Sequence, residues 1–205
     1  NQTQIHPAVA VFLATDNYDY NPNTISATAL LKPLRQLILS KRIPKEQQVM
    51  DIASMVKSRI GAAIHDSIEQ SWVTNYHQAL QALGYSAQFI ERVKVNPTEE
   101  APEDFAIYLE QRLYKDVGAY KIAGKFDIVM DGEVQDFKST GVFTILNGVK
   151  DDDYVMQGSI YRWLDPKLIT RPTMQIHFIL TDWSSVRAMG NPDYPQSPCP
   201  SKSFA

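Results

Sequence analysis

Asp131-Gly132 stands between two runs of strand-prone residues, 119–130 and 133–137. The dipeptide is a strong two-residue hairpin signal, because both positions of a type I′ turn take positive φ. Such a turn fixes which residues of the two strands sit side by side. Asp127 falls in the first strand, and Asp136 and Lys138 fall near the end of the second. Residues two apart on a strand share a face, so Asp136 and Lys138 project together. Carboxylates on adjacent strands can converge on a hard divalent cation. A lysine beside them can stabilise a pentacoordinate phosphate or help to activate a water. This is the minimal equipment for cutting a phosphodiester. Taken alone, the same set also describes a solvated hairpin surface.

The rest of the chain supplies a frame for the hairpin. Residues 8–13 are apolar and read as a short strand, and 16–23 as a polar loop. Helical spacing begins after Ser26, a candidate N-cap, with Pro33 in an early turn or at a kink. A long helix is expected from Asp51, as its cap, to residue 83, where Gly84 ends it. Ile60, Ile64, Ile68 and Trp72 recur along it as a core stripe. Strands are predicted over 105–113, 119–130, 133–137 and 174–181, a loop over 141–153 and a helix over 154–164. The order predicts an α/β fold, a mixed central β-sheet flanked by helices. Residues 1–25 form an N-terminal segment, 26–190 the domain, and 191–205 an irregular proline-rich tail.

Composition narrows the class. With 205 residues, 44% of them hydrophobic, the chain can bury a core without disulfide or metal staples. A net charge of −3 excludes a histone-like basic protein. No run of about 18 apolar residues and no basic leader precede or interrupt the domain, so no membrane association and a cytoplasmic location are expected. The missing initiator Met fits a segment of a longer chain. Cys199 is the single cysteine, which excludes a four-cysteine zinc site or iron–sulfur cluster. No G-x-x-x-x-G-K-[ST] phosphate loop occurs, so ATP hydrolysis is not expected.

Two helical pairs add to the hairpin. His65 and Glu69 lie one turn apart, with Gly61 one turn earlier. A mid-helix glycine costs about 1 kcal/mol relative to alanine, which close approach of another backbone or a ligand would explain. Gln157 and Tyr161 are likewise one turn apart. Each pair has a plain reading too: a surface i,i+4 pair for the first, a core tyrosine and a surface amide for the second.

Together the segments resemble the RecB-family exonucleases of the PD-(D/E)xK nuclease superfamily. The family pattern is a helical G-x-x-x-H-x-x-x-E, then G-x-x-D, D-x-K and Q-x-x-x-Y. This chain has Gly61…His65…Glu69, Gly124…Asp127, Asp136-Phe137-Lys138 and Gln157…Tyr161, in that order and spacing. Ser26-Ala27-Thr28 resembles the family's serine-rich opening. The likeness spans about residues 26–182 and is nearest to small stand-alone forms from bacteriophages and bacteria. It implies a restriction-endonuclease-like core in a bacterial or phage-infected cell. It implies that His65, Asp127, Asp136 and the Phe137 carbonyl ligate one or two Mg²⁺ or Mn²⁺ ions. Lys138 would act beside the attacking water, Glu69 would support the metal shell, and Gln157 and Tyr161 would orient the site or the DNA strand. Glu110 is a further candidate, because some relatives carry an acid on the preceding strand. Without four cysteines, no iron–sulfur cluster is implied.

A nucleic-acid enzyme needs a positive path for phosphates. Between residues 26 and 60 the basic residues are Lys32, Arg35, Lys41, Arg42, Lys45, Lys57 and Arg59, against Glu46 and Asp51. Arg35, Lys57 and Arg59 are the candidate DNA contacts, and Tyr18, Tyr20 and Trp72 are candidate stacking surfaces. An ordinary solvated helix face, and core packing for Trp72, explain the same residues. The expected activity is metal-dependent DNA exonuclease, on single- or double-stranded DNA, in recombination, repair or replication processing. A structure-specific endonuclease or a non-cleaving DNA-binding module is the alternative. A recombination protein or further copies of the chain are the expected protein partners.

Overall fold

A computed structural model of the chain describes residues 5–15, 24–44 and 51–205. Tyr18, Tyr20, Lys45 and Glu46 lie outside the described residues, as does the side chain of Lys41. The elements run α1 (Pro7–Ala14), β1 (Thr24–Ser26), α2 (Ala27–Leu30), α3 (Leu34–Arg42), a 3₁₀ turn (Ile52–Met55), α4 (Val56–Thr74), α5 (Tyr76–Ala82) and α6 (Ala87–Arg92). Strands β2 (Val93–Val95), β3 (Phe105–Leu109), β4 (Arg112–Val117), β5 (Tyr120–Lys125), β6 (Ile128–Met130) and β7 (Glu133–Thr140) follow. The chain ends with α7 (Val142–Leu146), α8 (Asp151–Leu164), β8 (Met174–Leu180), α9 (Ser185–Gly190) and β9 (Ser201–Phe204).

The fold is mixed α/β, with mixed sheets flanked by helices. Six strands form one sheet in the order β2-β3-β6-β7-β8-β9, in which β2/β3 and β7/β8 are parallel and the other neighbours antiparallel. Three more form a second sheet, β1-β5-β4. The Asp131-Gly132 turn is the expected one: both residues have positive φ, and Met130 pairs with Glu133 across it. Alternation along the strands sorts the core into two layers. Val134, Ile176 and Phe178 pack with Tyr154, Tyr161 and Leu164 of α8. Ile107, Leu109 and Ile128 pack on the opposite face with Ile68, Trp72 and Phe137 at its margin. Among the described residues, no helix is long and apolar enough to cross a membrane.

Several elements differ from the sequence reading, each for a local reason. Residues 8–13 are helical, not a strand. Pro7 opens the helix and the His6 ring accepts from Ala8 N–H, a start signal that an unbroken apolar run hides. The long helix is interrupted at Asn75, whose φ of −131° leaves the helical region. Ile60 is exposed, so the stripe is carried by Ile64, Ile68 and Trp72, which are half-buried. The expected loop 141–153 contains α7 and the start of α8. The Asp182 carboxylate accepts the Val142 N–H at 2.7 Å and anchors the start of α7 from a distant part of the sequence. The aspartates at 151–153 occupy the first turn of α8, where the helix dipole favours them.

The strands expected over 105–113 and 119–130 are each cut in two. One cut falls at Glu110, whose φ is 51°, and the other at Phe126–Asp127. Hydrogen bonds cross the cut: Glu110 N–H donates to the Asp127 carbonyl at 2.8 Å, and Phe126 N–H to the Gln111 carbonyl at 3.2 Å.

The tail is not wholly irregular. Residues 201–204 pair antiparallel with β8, and the buried Phe204 ring meets Tyr154 at 5.5 Å between centroids. That packing recruits a segment with little strand character of its own. Phe204→Ala is therefore expected to destabilise the fold by about 3 kcal/mol, measured by denaturant unfolding. A loss within about 0.5 kcal/mol, the range of an ordinary surface change, would show that the tail does not hold the core together.

Candidate metal centre

Four elements deliver the site. Helix α4 crosses the end of β7, and Gly61 permits the approach: a Cβ there would lie 3.3 Å from Ser139 Oγ. The close neighbour is thus a β7 side chain. One turn on, His65 reaches the break in the ribbon. Its Nε2 lies 3.0 Å from the Phe137 carbonyl oxygen, and its Nδ1 lies 3.3 Å from Asp127 Oδ1 and 3.9 Å from Glu110 Oε1. The carbonyl can only accept, so Nε2 carries a proton in this arrangement. The other oxygen of Asp127, Oδ2, accepts Phe137 N–H at 2.8 Å.

His65, Glu110 and Asp127 each offer one ligand atom within 4.8 Å of the others. Glu110 reaches the cluster from the positive-φ position at the end of β3, and Lys125 Nζ pairs with its Oε2 at 2.5 Å. The Lys125 pairing is not anticipated by the motif pattern, since it occupies a free position of G-x-x-D. Glu69, one turn beyond His65, does not join the three. Asp136 does not join them either. The reason is the strand period: Phe137 turns toward α4, so Asp136 turns toward α8.

Asp136 has its own surroundings there. It is 2% exposed. Its Oδ1 accepts from Gln157 Nε2 at 3.1 Å, and its Oδ2 forms an ion pair with Lys138 Nζ. Outside that pair, Oδ2 has no hydrogen-bond partner among the described residues. Gln157 is buried, not a surface amide, and also donates to Tyr161 Oη at 3.0 Å. Tyr161 O–H donates to the Lys125 carbonyl at 2.8 Å. The glycine of G-x-x-D makes room for this chain of contacts: a Cβ at Gly124 would lie 2.6 Å from Leu164 and 2.9 Å from Tyr161.

The electrostatics follow from the geometry. The hydrogen bond to Asp127 raises the pKa of His65, working against the desolvation that lowers it. Burial is the main cause that raises Glu110, with Lys125 opposing. Burial pushes Asp136 up to about 6, again with Lys138 opposing. Burial raises the pKa of both acids although each is paired with a lysine, and a further cation would favour their charged forms. The donors on offer are an imidazole nitrogen, two carboxylates and the Phe137 carbonyl, with Asp136 next to them. An oxygen-rich set with one nitrogen is a donor set that divalent metal ions take. The residues present therefore fit a divalent ion.

The candidate DNA contacts divide. Arg35 and Lys57 are exposed. Arg59 is engaged: its Nε donates to the Phe12 carbonyl at 3.0 Å and its guanidinium stacks over the Phe12 ring, so it fastens α1 to α4. Trp72 is half-buried at the core margin and stacks on Tyr76. A scan against protein-family models finds none that matches the chain, and a search of curated proteins finds no match.

Two outcomes are expected. Mn²⁺ at about 100 times its Kd stabilises the folded chain by about 2.7 kcal/mol, read by thermal unfolding, and Asp127→Asn removes most of that shift. Gly124→Ala destabilises by about 1–3 kcal/mol through overpacking against Tyr161 and Leu164, read by denaturant unfolding.

Proposed function

We propose that the chain is a divalent-metal-dependent DNA exonuclease with a restriction-endonuclease-like core, of the RecB family that its motifs resemble. One observation carries the reading. An imidazole and two carboxylates from separate elements meet at ligand distance, beside a buried aspartate paired with a lysine. A scatter of solvated hairpin charges would not be anchored in this way by backbone and side-chain hydrogen bonds.

His65, Asp127, Glu110 and the Phe137 carbonyl would hold the ion. Glu110 takes the supporting part that the motif pattern gives to Glu69. The cation, Mg²⁺ or Mn²⁺, supplies Lewis acidity toward a phosphoryl oxygen and an attacking water. Lys138 offsets the charge that gathers on the phosphorus oxygens as the nucleophile adds. Gln157 and Tyr161 are positioning residues: they hold Asp136 and the Lys125 backbone in place. Arg35 and Lys57 offer exposed charge to the DNA backbone. Processing of DNA ends in recombination, repair or replication is the setting that this chemistry serves.

The test is digestion of end-labelled linear oligonucleotides, single- and double-stranded, and of closed circular DNA, with Mg²⁺, Mn²⁺ or chelator. Shortening of linear DNA that stops with chelator, with circles left intact, is the expected result. Lys138→Ala should lower kcat by about 10²–10³ without abolishing metal binding. Chelator-resistant cleavage, or full activity of Lys138→Ala, overturns the mechanism. Cut circles replace the exonuclease with an endonuclease, and binding without cleavage replaces it with a binding module.

A further inference from the structure

A cavity of about 400 Å³ opens at the start of β8, apart from the metal donors. β8 runs parallel to β7, so Met174, which lines the cavity, lies beside Val134, while Lys138 pairs with Phe178 further along. None of His65, Glu110, Asp127 or Asp136 lines it. Helix α8 gives it a wall: Val155, Ser159 and Arg162 recur at helical spacing along it. Gln157 and Tyr161 leave the same helix in another direction, toward Asp136 and the Lys125 carbonyl.

The lining is apolar and cationic. Ile169, Met174 and Phe204 contribute buried apolar surface. Gly158 adds no side chain, and a Cβ there would stand 3.0 Å from Met174 Sδ. Pro166, Pro172 and the Trp163 ring, 43% exposed, add flat surfaces. The charged lining residues are Lys115, Arg162 and Arg171, with no acidic side chain among them. Two of these cations are already engaged. Lys115 Nζ donates to the Trp163 carbonyl at 2.7 Å and lies 4.4 Å from the centre of that ring. Arg171 pairs with Asp131 and donates to its carbonyl at 2.9 Å.

Arg162 is different. It is exposed and makes no hydrogen bond or ion pair among the described residues. A cation in the last turn of α8 suits the helix dipole. The dipole does not account for an apolar cavity beside that cation, lined also by β4, residues 166–173, β8 and β9. A guanidinium with free donors binds a carboxylate or a phosphate through paired N–H groups. The tryptophan ring and the apolar lining take a flat apolar body. A volume of about 400 Å³ lies in the range of about 300–1,000 Å³ that small-molecule sites span.

We infer that the cavity between α8 and the start of β8 binds a small aromatic anion, a flat ring that carries a phosphate or a carboxylate. Arg162 holds the anionic group, and the ring rests on Trp163 and the apolar lining. No metal donor takes part, so the site stands whether or not the chain cuts DNA.

Binding is measured by isothermal titration calorimetry on the full chain in metal-free buffer. Deoxyadenosine monophosphate represents the phosphate form and indole-3-acetate the carboxylate form. At least one of them should bind with a Kd below about 1 mM, and the one that binds identifies the source of the anion. The neutral rings alone, deoxyadenosine and indole, and the bare anions, phosphate and acetate, should bind at least about tenfold more weakly, since each lacks one half of the recognition. Arg162→Ala should weaken binding by about 10- to 100-fold, the size of a hydrogen bond to a charged group. Ser159→Trp should block the cavity with all its cations in place. Arg187→Ala, at an exposed arginine of α9, should bind as the wild type does. Thermal unfolding checks that each variant is folded. The site is overturned if neither anion binds below about 1 mM, if Arg162→Ala or Ser159→Trp keeps wild-type affinity, or if a bare anion binds as well as its ring-bearing form.

Discussion

Asp127 holds the site together by using its two oxygens in different directions. One accepts the backbone N–H of Phe137 and ties the G-x-x-D segment to β7. The other meets the His65 imidazole and ties the same point to α4. The Phe137 carbonyl closes the circuit through His65 Nε2, so the dipeptide unit after Asp136 is gripped on both sides. A single carboxylate thus sets the separation of the groups that would share a cation.

The arrangement is unfavourable for folding in two places. Glu110 adopts a left-handed backbone conformation that non-glycine residues rarely take, and such positions cost about 1–3 kcal/mol. Asp136 is buried with one oxygen met only by an ammonium. Removing one partner of a buried pair is worse than never having built it, because the other charge is stranded. Hydrophobic residues at 136 and 138 would serve the core as well or better. The charge there is what the proposed nuclease chemistry would use, and stability does not call for it.

Much of this is legible in the sequence. The Asp131-Gly132 turn, the capping serine at 26 and the i,i+4 spacing of His65 and Gln157 are local features, and local backbone preference determines them. Gly61 in mid-helix signals close approach, and a β7 side chain does stand where its Cβ would go. Other features are hidden where a distant contact overrides the local pattern. Asp182 starts α7 from forty residues away, and Tyr154 draws Phe204 into a strand. Residues 8–13 mislead because an unbroken apolar run carries no period to read.

The sequence by itself determined the hairpin, the helical faces and which chemical groups each would present, because turns and periodicities depend on neighbours in the chain. Only the tertiary structure decided which of the acids meet His65. Glu110 enters because the ribbon bends there, with its backbone in a conformation no propensity would assign. Asp136 stays outside the cluster because the strand pleat turns it toward α8, and Glu69, one turn beyond His65, is not among the three. Convergence of side chains from separate elements is a matter of how those elements pack, and packing is a property of the whole fold.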